Sequence, residues 1–140
     1  MIIGYTTGTF DLFHKGHVEF LKKTKNYCDH LIVGVTTDEL GFKEKGRKPI
    51  INTENRIAVV NACKYVDQTL PHNDQHGDKI KPFQLLHFQL VFIGDDYIND
   101  TQYTQLHTKI PVKVIFLPYT KEISTTSIRN KIINTSKDIS

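Results

Sequence analysis

Short apolar segments rich in β-branched and aromatic residues alternate along this chain with longer segments of helical periodicity. The predicted strands are residues 2–7, 30–36, 65–70, 90–93 and 112–117, and the predicted helices are residues 16–27, 53–64, 78–87 and 125–133. Most strand segments are apolar without alternation, which is typical of strands buried on both faces of a sheet. This pattern predicts an α/β fold with a doubly wound parallel sheet, in which ligands bind beyond the carboxyl ends of the strands.

The chain length and composition are those of one compact domain. Its 140 residues fall within the usual size of a single domain, and 39% hydrophobic residues are enough for a sizeable core. We predict one domain over residues 1–133 and a polar, fraying tail over residues 134–140. The net charge of +3 is too small to indicate a nucleic-acid partner, and no basic stripe interleaved with aromatic residues supports one.

Cysteine usage and hydropathy bear on the cellular location. Cys28 and Cys63 are not in a C-x-x-C or metal-type spacing, and the segment that starts at Met1 has neither a basic region nor a long apolar run. No apolar run approaches the roughly 20 residues that a membrane helix needs. We therefore expect a cytoplasmic protein with free thiols and no membrane partner.

The most informative segment connects the first predicted strand to the first predicted helix. It reads Thr-Gly-Thr-Phe-Asp-Leu-Phe-His-Lys-Gly-His over residues 7–17. Gly8 allows backbone N–H groups to approach a ligand closely, and Gly16 leaves space above the positive end of the helix. His14 and His17 are three residues apart at that helix start, so both rings can face the same space and donate a ring N–H to an anionic oxygen. The segment therefore predicts a phosphate site.

Two other interpretations of the histidine pair are open. A solvated pair without a ligand is the first, and the glycines on both sides disfavour it because glycine-flanked turns between strand and helix commonly bind phosphate. A partial zinc site is the second. Zinc takes three or four protein ligands, whereas only Asp11 lies nearby in the sequence with a suitable side chain, so zinc is disfavoured as well.

The same segment carries a resemblance to a known family. Gly8-Thr9-Phe10-Asp11 followed by His14-Lys15-Gly16-His17 resembles the G-T-F-D-x-x-H-x-G-H signature of the cytidylyltransferase superfamily of nucleotidyltransferases. Further blocks that resemble the family follow in the same order, at residues 35–39, Arg56, and residues 65–67, 94–96 and 123–128. The resemblance therefore extends over nearly the whole chain, and it implies a single Rossmann-like domain.

This resemblance implies an activity and a set of contacts. The activity is transfer of CMP from CTP to a phosphorylated alcohol, glycerol 3-phosphate being the nearest match, with release of pyrophosphate. His14 and His17 would be the catalytic groups, donating to oxygens on which charge accumulates. A homodimer is implied, as is Mg²⁺ bound mainly through the triphosphate, with no metal site made by protein residues alone. Nucleotide contacts are implied for Thr9, Phe10, His14, Lys15, Gly16, His17, Arg47, Lys121, Ser124, Thr125 and Thr126.

A second helix start follows the last predicted strand. One hydroxyl of Ser124, Thr125 and Thr126 suffices to cap the helix. Three in succession also place hydroxyls and free N–H groups at a second positive helix end, so that two helix ends could hold one triphosphate. The family usually opens this block with arginine, whereas this chain has Tyr119 there. We hypothesise that Lys121 supplies the missing charge; Arg129 is the other candidate.

Positive charge is concentrated after the second predicted strand, in a predicted loop over residues 41–48. A solvated charge run is one interpretation, but a loop at this edge of the sheet can also close over two phosphorylated substrates. The resemblance places Lys45 and Lys79 on the acceptor and Arg47 on the nucleotide. Asp95, after the fourth strand, either contacts substrate or caps the next helix.

Three alternative functions stay open. The acceptor could be phosphoethanolamine or phosphocholine, or the nucleotide could be ATP, which would make the chain an adenylyltransferase. A cationic acceptor needs carboxylates or aromatic rings around its ammonium group, whereas lysines such as Lys45 and Lys79 suit glycerol phosphate better. The third alternative is a nucleotide-binding regulatory module without activity, which the missing arginine favours and the two intact histidines disfavour.

Overall fold

The computed structural model describes residues 1–73, 79–120 and 123–139. Strands and helices alternate in it as the sequence predicts. The strands are β1 (Ile3–Gly8), β2 (His30–Thr36), β3 (Gln68–His72), β4 (Leu90–Gly94) and β5 (Lys113–Leu117). The helices are α1 (Lys15–Lys25), α2 (Asp38–Lys45), α3 (Thr53–Asn61), α4 (Ile80–Leu86), α5 (Thr101–Thr104) and α6 (Thr125–Ile139), with short 3-10 turns at Asp95–Tyr97 and Leu106–Thr108.

The five strands form one parallel sheet in the order β3-β2-β1-β4-β5. The chain first builds outward from β1 to β2 and β3, and then crosses back to place β4 on the other side of β1. The sheet order therefore reverses between β1 and β4, which is the position where doubly wound folds bind their ligands. The predicted single α/β domain with a doubly wound parallel sheet is confirmed.

Each face of the sheet carries its own hydrophobic core. On one face Leu31, Val33 and Val35 of β2 pack with Phe20 and Leu21 of α1. The opposite face carries a second cluster, made by Tyr5, Ile32, Phe88, Val91, Ile93, Leu106, Ile110 and Val112. Consecutive residues of β2 and β4 enter different cores, so the central parts of these strands, Leu31–Val35 and Leu90–Ile93, contain no polar side chain. This explains why the sequence does not alternate there.

Several predicted boundaries differ from the structure. The third strand lies at Gln68–His72 instead of residues 65–70, because Tyr65 and Val66 pack against the core in the turn that follows α3. Pro71 is tolerated within β3 because this strand forms the edge of the sheet. The last helix continues to Ile139, so residues 134–139 are helical where the sequence predicts a fraying tail.

The prediction of a basic loop over residues 41–48 is wrong for residues 41–45, because these residues belong to helix α2. Thr37 caps this helix by accepting a hydrogen bond from the N–H of Leu40 at 3.2 Å. Asp38 lies in the first turn and lysines in the last, as the helix dipole favours, and Gly46 ends the helix with φ of +73°. These cap signals are present in the sequence, although the charge density of the segment suggests a loop.

Candidate active site

A cavity of about 400 Å³ opens at the carboxyl edge of the sheet, above the point where the strand order reverses. Its wall is built by the ends of β1, β2, β3 and β4, the turn after β1, the second half of α2, and the first turns of α6. The sequence predicts a ligand site at this edge. The structure places one cavity there that joins the two helix starts identified in the sequence.

His14 and His17 form a reciprocal cap at the start of α1. The Nδ1 atom of His14 accepts a hydrogen bond from the Gly16 N–H at 3.0 Å, and the Nδ1 atom of His17 accepts one from the His14 N–H at 3.1 Å. A neutral imidazole that accepts at Nδ1 carries its proton on Nε2. Each ring therefore keeps one N–H donor, the same group that the sequence analysis assigns to an anionic oxygen.

The environment of the two rings favours their neutral forms. Burial lowers the pKa of His14. Burial and the neighbouring His14 ring, 3.9 Å away between centroids, together lower the pKa of His17 to about 4, against a smaller opposing effect of Asp11. Both rings are uncharged at neutral pH, so they can act as hydrogen-bond donors without first losing a proton.

The turn after β1 is shaped by close contacts around its glycines. A Cβ atom at Gly16 would lie 2.8 Å from Cε1 of His14, so the absent side chain makes room for the imidazole that caps the helix. Phe10 and Leu12 have positive φ values of 54° and 51°, which non-glycine residues adopt at an energetic cost. Backbone strain in this turn is characteristic of a ligand-binding site.

Asp11 holds three parts of the site together, a role that the sequence analysis does not assign. Its buried carboxylate accepts hydrogen bonds from the N–H groups of Ile50 and Ile51 at 2.8 and 3.0 Å, and from Nη2 of Arg129 at 3.2 Å. Its backbone carbonyl accepts from the Thr125 hydroxyl at 2.8 Å. The turn after β1, the segment before α3 and the start of α6 are thereby fixed relative to one another.

Arg56 also connects several segments that surround the cavity. Its guanidinium donates to the carbonyls of Thr9, Thr36 and Ile51, at 2.7, 2.6 and 2.7 Å respectively. It also pairs with the Asp38 carboxylate at 2.8 Å. Arg56 is completely buried, and its contacts tie the ends of β1 and β2 to α3. It is a structural support of the site.

The hydroxyl residues at the start of α6 fall into two groups, one that caps the helix and one that lines the cavity. Ser124 Oγ accepts from the Ser127 N–H at 3.0 Å while Ser127 Oγ accepts from the Ser124 N–H at 3.1 Å, which confirms a cap at this position. Thr125 and Thr126 line the cavity, and Thr125 Oγ1 lies 3.5 Å from Nε2 of His14. The two helix starts thus meet across one side of the cavity.

The structure brings together only part of the predicted site. The residues of that set that line the cavity are Thr9, Phe10, His17, Lys45, Arg47, Thr125 and Thr126. His14 is not among the lining residues, but its ring lies 3.9 Å from that of His17 between centroids. Lys15 points to Glu19 at 3.4 Å instead of the cavity, and Asp95 is exposed at the start of a 3-10 turn. Lys121 lies outside the described residues.

Lys79 is buried, and its Nζ donates to the Thr7 hydroxyl at 3.0 Å. Thr7 lines the cavity, so Lys79 lies behind the wall near the ends of β1 and β3. The neighbouring His72 at the end of β3 does line the cavity. Burial, with a contribution from Lys79, lowers the pKa of His72 to about 4, which makes this side of the wall a neutral imidazole with a lysine behind it.

Phenol rings form another side of the cavity that the sequence analysis does not anticipate. Tyr97, Tyr103 and Tyr119 line it together with Asp96. Tyr119 stacks on Phe20 with 4.5 Å between ring centroids. Burial raises the pKa of Tyr119, and it raises the pKa of Tyr103 to about 12, so these hydroxyls stay protonated. Position 119 therefore carries a neutral ring that is stacked on Phe20 and remains partly exposed.

The sequence also matches known proteins over this whole architecture. The model of the cytidylyltransferase-like family matches residues 5–131. This chain belongs to that family. The glycerol-3-phosphate cytidylyltransferase of Bacillus subtilis (strain 168) is 34% identical over 128 residues, which cover 91% of this chain and 94% of that protein. The ethanolamine-phosphate cytidylyltransferase of Dictyostelium discoideum is 39% identical over 95 residues, covering 67% of this chain and 26% of that protein.

A solved structure has a similar fold. The lipopolysaccharide core biosynthesis protein from Thermoplasma volcanium GSS1 superposes with a TM-score of 0.73 at 27% identity, covering 86% of this chain and 99% of that one. Two further properties concern the described residues. They include no helix with the length and apolar character that crossing a membrane requires, and no group of three metal-binding side chains placed to hold an ion.

Proposed function

We propose that this member of the cytidylyltransferase-like family transfers CMP from CTP to glycerol 3-phosphate, giving CDP-glycerol and pyrophosphate. The observation that carries the proposal is the meeting of two helix starts on one cavity, with the Nε2 atom of His14 3.5 Å from the Thr125 hydroxyl. Such an arrangement suits a triphosphate bound between two positive helix ends. The two cytidylyltransferases described above are named for phosphorylated alcohols, and the B. subtilis enzyme is named for glycerol 3-phosphate.

The proposed reaction is a single displacement at phosphorus. A phosphate oxygen of the acceptor attacks the α-phosphorus of CTP, the bond from that phosphorus to the bridging oxygen breaks, and pyrophosphate leaves with the electron pair. His14 and His17 donate Nε2–H to oxygens of the α-phosphate and the leaving group, where negative charge accumulates. Thr125, Thr126 and the free N–H groups of α6 bind the phosphates from the other side.

The acceptor phosphate is proposed to lie against the basic residues of the cavity. Lys45 contacts the acceptor and Arg47 the nucleotide, since both line the cavity at the end of α2. Lys79 acts on the acceptor from behind Thr7, and Asp95 approaches it from the end of β4 once the substrate is bound. A neutral imidazole at His72, with a lysine behind it, suits the hydroxyl groups of a polyol phosphate better than an ammonium group.

Mg²⁺ is proposed to enter with the triphosphate as part of the substrate. The buried carboxylate of the cavity, Asp11, is already occupied by two backbone N–H groups and by Arg129, so it does not hold an ion by itself. The ion supplies partial neutralisation of the phosphate charge, which lowers repulsion between the two substrates. We further propose a cytoplasmic homodimer. Lys121, Lys15 and Gly16 also lie around the nucleotide phosphates in this proposal, and Ser124 is the cap that positions Thr125 and Thr126 beside them.

A second candidate is favoured by one feature of the cavity wall. Glu44 and Asp96 line it together with the rings of Tyr97 and Tyr103. Carboxylates and aromatic rings are the groups that recognise an ammonium ion, so phosphoethanolamine is the alternative acceptor. ATP in place of CTP, and a nucleotide-binding module without turnover, are the remaining alternatives.

The deciding experiment measures pyrophosphate release with Mg²⁺. CTP and ATP are each combined with glycerol 3-phosphate, phosphoethanolamine, phosphocholine or no acceptor, and the His14→Asn variant is the control for contaminating activity. We expect release with CTP and glycerol 3-phosphate and a large loss in the variant. Release with phosphoethanolamine instead would establish the second candidate, and CTP binding without release under any condition would establish the binding module.

A further inference from the structure

His72 ends strand β3, at the edge of the sheet, and lines the cavity. Its backbone is fixed, because it pairs in register with Thr36 at the end of β2 and its carbonyl accepts a hydrogen bond from the Thr37 N–H at 3.0 Å. Its side chain is closely packed as well, since the residue is only 5% exposed and its Cβ lies 3.2 Å from the position that a Cβ atom on Gly34 would occupy. His72 is therefore held in place before a ligand arrives.

The hydrogen bonds of the His72 ring are incomplete. Its Nδ1 atom is buried, and among the residues that the structure describes it has no hydrogen-bond partner. His14 and His17, the other histidines of the site, both use Nδ1 to accept a hydrogen bond from a backbone N–H group. The large majority of buried polar side-chain atoms have a partner, so an imidazole of this kind in a cavity wall is prepared for one that comes with a ligand.

The surroundings of the ring indicate the chemistry of that partner. Burial and the charge of Lys79, which lies behind Thr7, lower the pKa of His72 to about 4, so the ring is neutral. A neutral imidazole has one nitrogen that donates a hydrogen bond and one that accepts. A hydroxyl group can do both, whereas an ammonium group only donates and is repelled by the charge of Lys79. This part of the wall therefore matches a neutral hydroxyl group.

The strand order indicates which substrate reaches His72. The turn with His14 and His17 follows β1, and the reacting phosphates are proposed to lie there. Strand β2 separates β1 from β3, so the end of β3 lies two strand spacings, about 10 Å, to one side of that turn. The rings of Tyr97 and Tyr103 follow β4, on the opposite side. An acceptor whose phosphate lies near the turn can extend over β2, so that its carbon chain ends against His72.

We propose that His72 binds a hydroxyl group of the acceptor alcohol and thereby selects polyol phosphates over acceptors that carry an ammonium group. This inference rests on the proposed transfer to glycerol 3-phosphate, and it names the residue that recognises the alcohol instead of its phosphate. Glu44 and Asp96, which would favour phosphoethanolamine, lie near Tyr97 on the β4 side. The two kinds of acceptor would therefore extend towards opposite sides of the cavity.

The test combines variants of His72 with acceptors that lack one hydroxyl group. His72→Phe keeps a ring without its nitrogens, His72→Gln keeps a group that donates and accepts, and His107→Phe is the matched control at an exposed position outside the cavity. Pyrophosphate release with CTP and Mg²⁺ gives kcat and KM for glycerol 3-phosphate, for 2-hydroxypropyl phosphate and for 3-hydroxypropyl phosphate. Each of the last two lacks a different hydroxyl group of glycerol 3-phosphate.

The expected result is a loss that depends on both the variant and the acceptor. Removal of the hydroxyl group that contacts His72 should lower kcat/KM about 10- to 100-fold in the unmutated chain and in His107→Phe, but less than about threefold in His72→Phe. With glycerol 3-phosphate, His72→Phe should raise the KM of the acceptor by a similar factor and leave the KM of CTP unchanged. His72→Gln should recover part of this loss. The preference for glycerol 3-phosphate over phosphoethanolamine should fall in His72→Phe as well.

Several results would overturn the inference. These are an unchanged acceptor KM in His72→Phe, an equal rise in the KM of CTP, or truncated acceptors that lose as much kcat/KM in His72→Phe as in the unmutated chain. A measurement on the unmutated chain covers the case in which His72→Phe does not fold. The NMR resonances of the His72 ring nitrogens should shift on addition of glycerol 3-phosphate and stay in place with inorganic phosphate, and resonances that glycerol 3-phosphate leaves unmoved would contradict the proposal.

Failure of this inference and failure of the proposed function are distinguishable. If the unmutated chain transfers CMP to glycerol 3-phosphate and His72→Phe does so with the same acceptor KM, the inference alone is wrong. If the nucleotide is ATP, the same acceptors tested with ATP decide the role of His72 while the CTP assignment falls. If phosphoethanolamine is the preferred acceptor, both are wrong. If no acceptor reacts, the His72 resonances with glycerol 3-phosphate still decide the inference.

Discussion

The two helix starts that meet at the cavity are capped in different ways. At α1, the Nδ1 atoms of His14 and His17 accept the backbone N–H groups of Gly16 and His14, so the side chains proposed for catalysis are also the cap. At α6, Ser124 caps through a reciprocal pair of hydrogen bonds, and the cavity is lined by Thr125 and Thr126, which follow it. Capping and ligand binding coincide at α1 and are separate at α6.

This difference shows how a backbone can set the chemistry of a side chain. Because the cap occupies Nδ1, the remaining proton of each imidazole is fixed on Nε2. Each ring is therefore oriented by a backbone N–H group and not by a carboxylate. The consequence is that stability and activity are coupled at α1, whereas at α6 a substitution can change one without the other.

The largest expected effect comes from separating the two roles of the histidines. Asparagine places a side-chain oxygen close to the position of Nδ1, so His14→Asn and His17→Asn keep an acceptor for the cap but lose the Nε2–H donor. We expect kcat to fall about 100- to 1,000-fold in each, as for the loss of one preorganised donor to a transition state. Steady-state kinetics of pyrophosphate release provides the measurement.

Alanine variants complete that experiment. His14→Ala should lose the same catalytic donor and, in addition, about 1 kcal/mol of the free energy of unfolding, because the cap is lost as well. Urea unfolding of His14→Asn and His14→Ala, followed by circular dichroism, measures the difference. Near-normal turnover in both asparagine variants would show that the imidazole donors have no catalytic role, and equal stability of the two His14 variants would show that the cap is unimportant.

The sequence predicts the sheet and this first turn well because the signals are local or repeated. Five apolar segments separated by helical periodicity define a doubly wound sheet, and the glycines with His14 and His17 are contiguous. Helix α2 is not predicted from the sequence, although Thr37 and Gly46 flank it. Four cations near its end favour a solvated loop instead.

Other parts of the site could not be predicted because they depend on tertiary contacts. Asp11 contacts residues 39 and 118 positions away in the chain, and no local pattern indicates such partners. The family resemblance implies that Lys79 contacts the acceptor, and only the fold shows that its Nζ donates to the Thr7 hydroxyl. The neutral character of His72 likewise depends on burial between strands, which sequence spacing does not reveal.

We expect low pH to reduce the free energy of unfolding through the buried histidines of the cavity and not through the serine cap of α6. The pKa values of His17 and His72 are about 4 in the folded chain, against about 6.5 in the unfolded chain. The unfolded state therefore binds more protons between pH 6.5 and 4, and stability falls as the pH is lowered through this window. We expect each histidine to cost about 1 to 2 kcal/mol of unfolding free energy between pH 7 and pH 5, measured by urea unfolding at both values.

Variants assign this loss to particular rings. His17→Asn and His72→Asn should each reduce the pH dependence of the unfolding free energy by the contribution of the histidine that is replaced. Ser124→Ala should leave this pH dependence unchanged. His107→Asn is the matched control, since His107 is exposed in a 3-10 turn and lies outside the cavity. A pH dependence that persists undiminished in both cavity variants would mean that the acid sensitivity arises from other groups.

The smallest effect is expected at the serine cap, where it completes the comparison. Ser124→Ala removes the acceptor for the Ser127 N–H and should lower the free energy of unfolding by about 1 kcal/mol, because the first turn of α6 then has an unpaired donor. Thr125 and Thr126 keep their places on the cavity wall, held in part by the Thr125 hydrogen bond to Asp11. Turnover should therefore stay within a few-fold of the unmutated chain. A loss of kcat as large as that of His14→Asn would mean that the Ser124 hydroxyl itself binds phosphate, and that capping and ligand binding coincide at α6 as they do at α1.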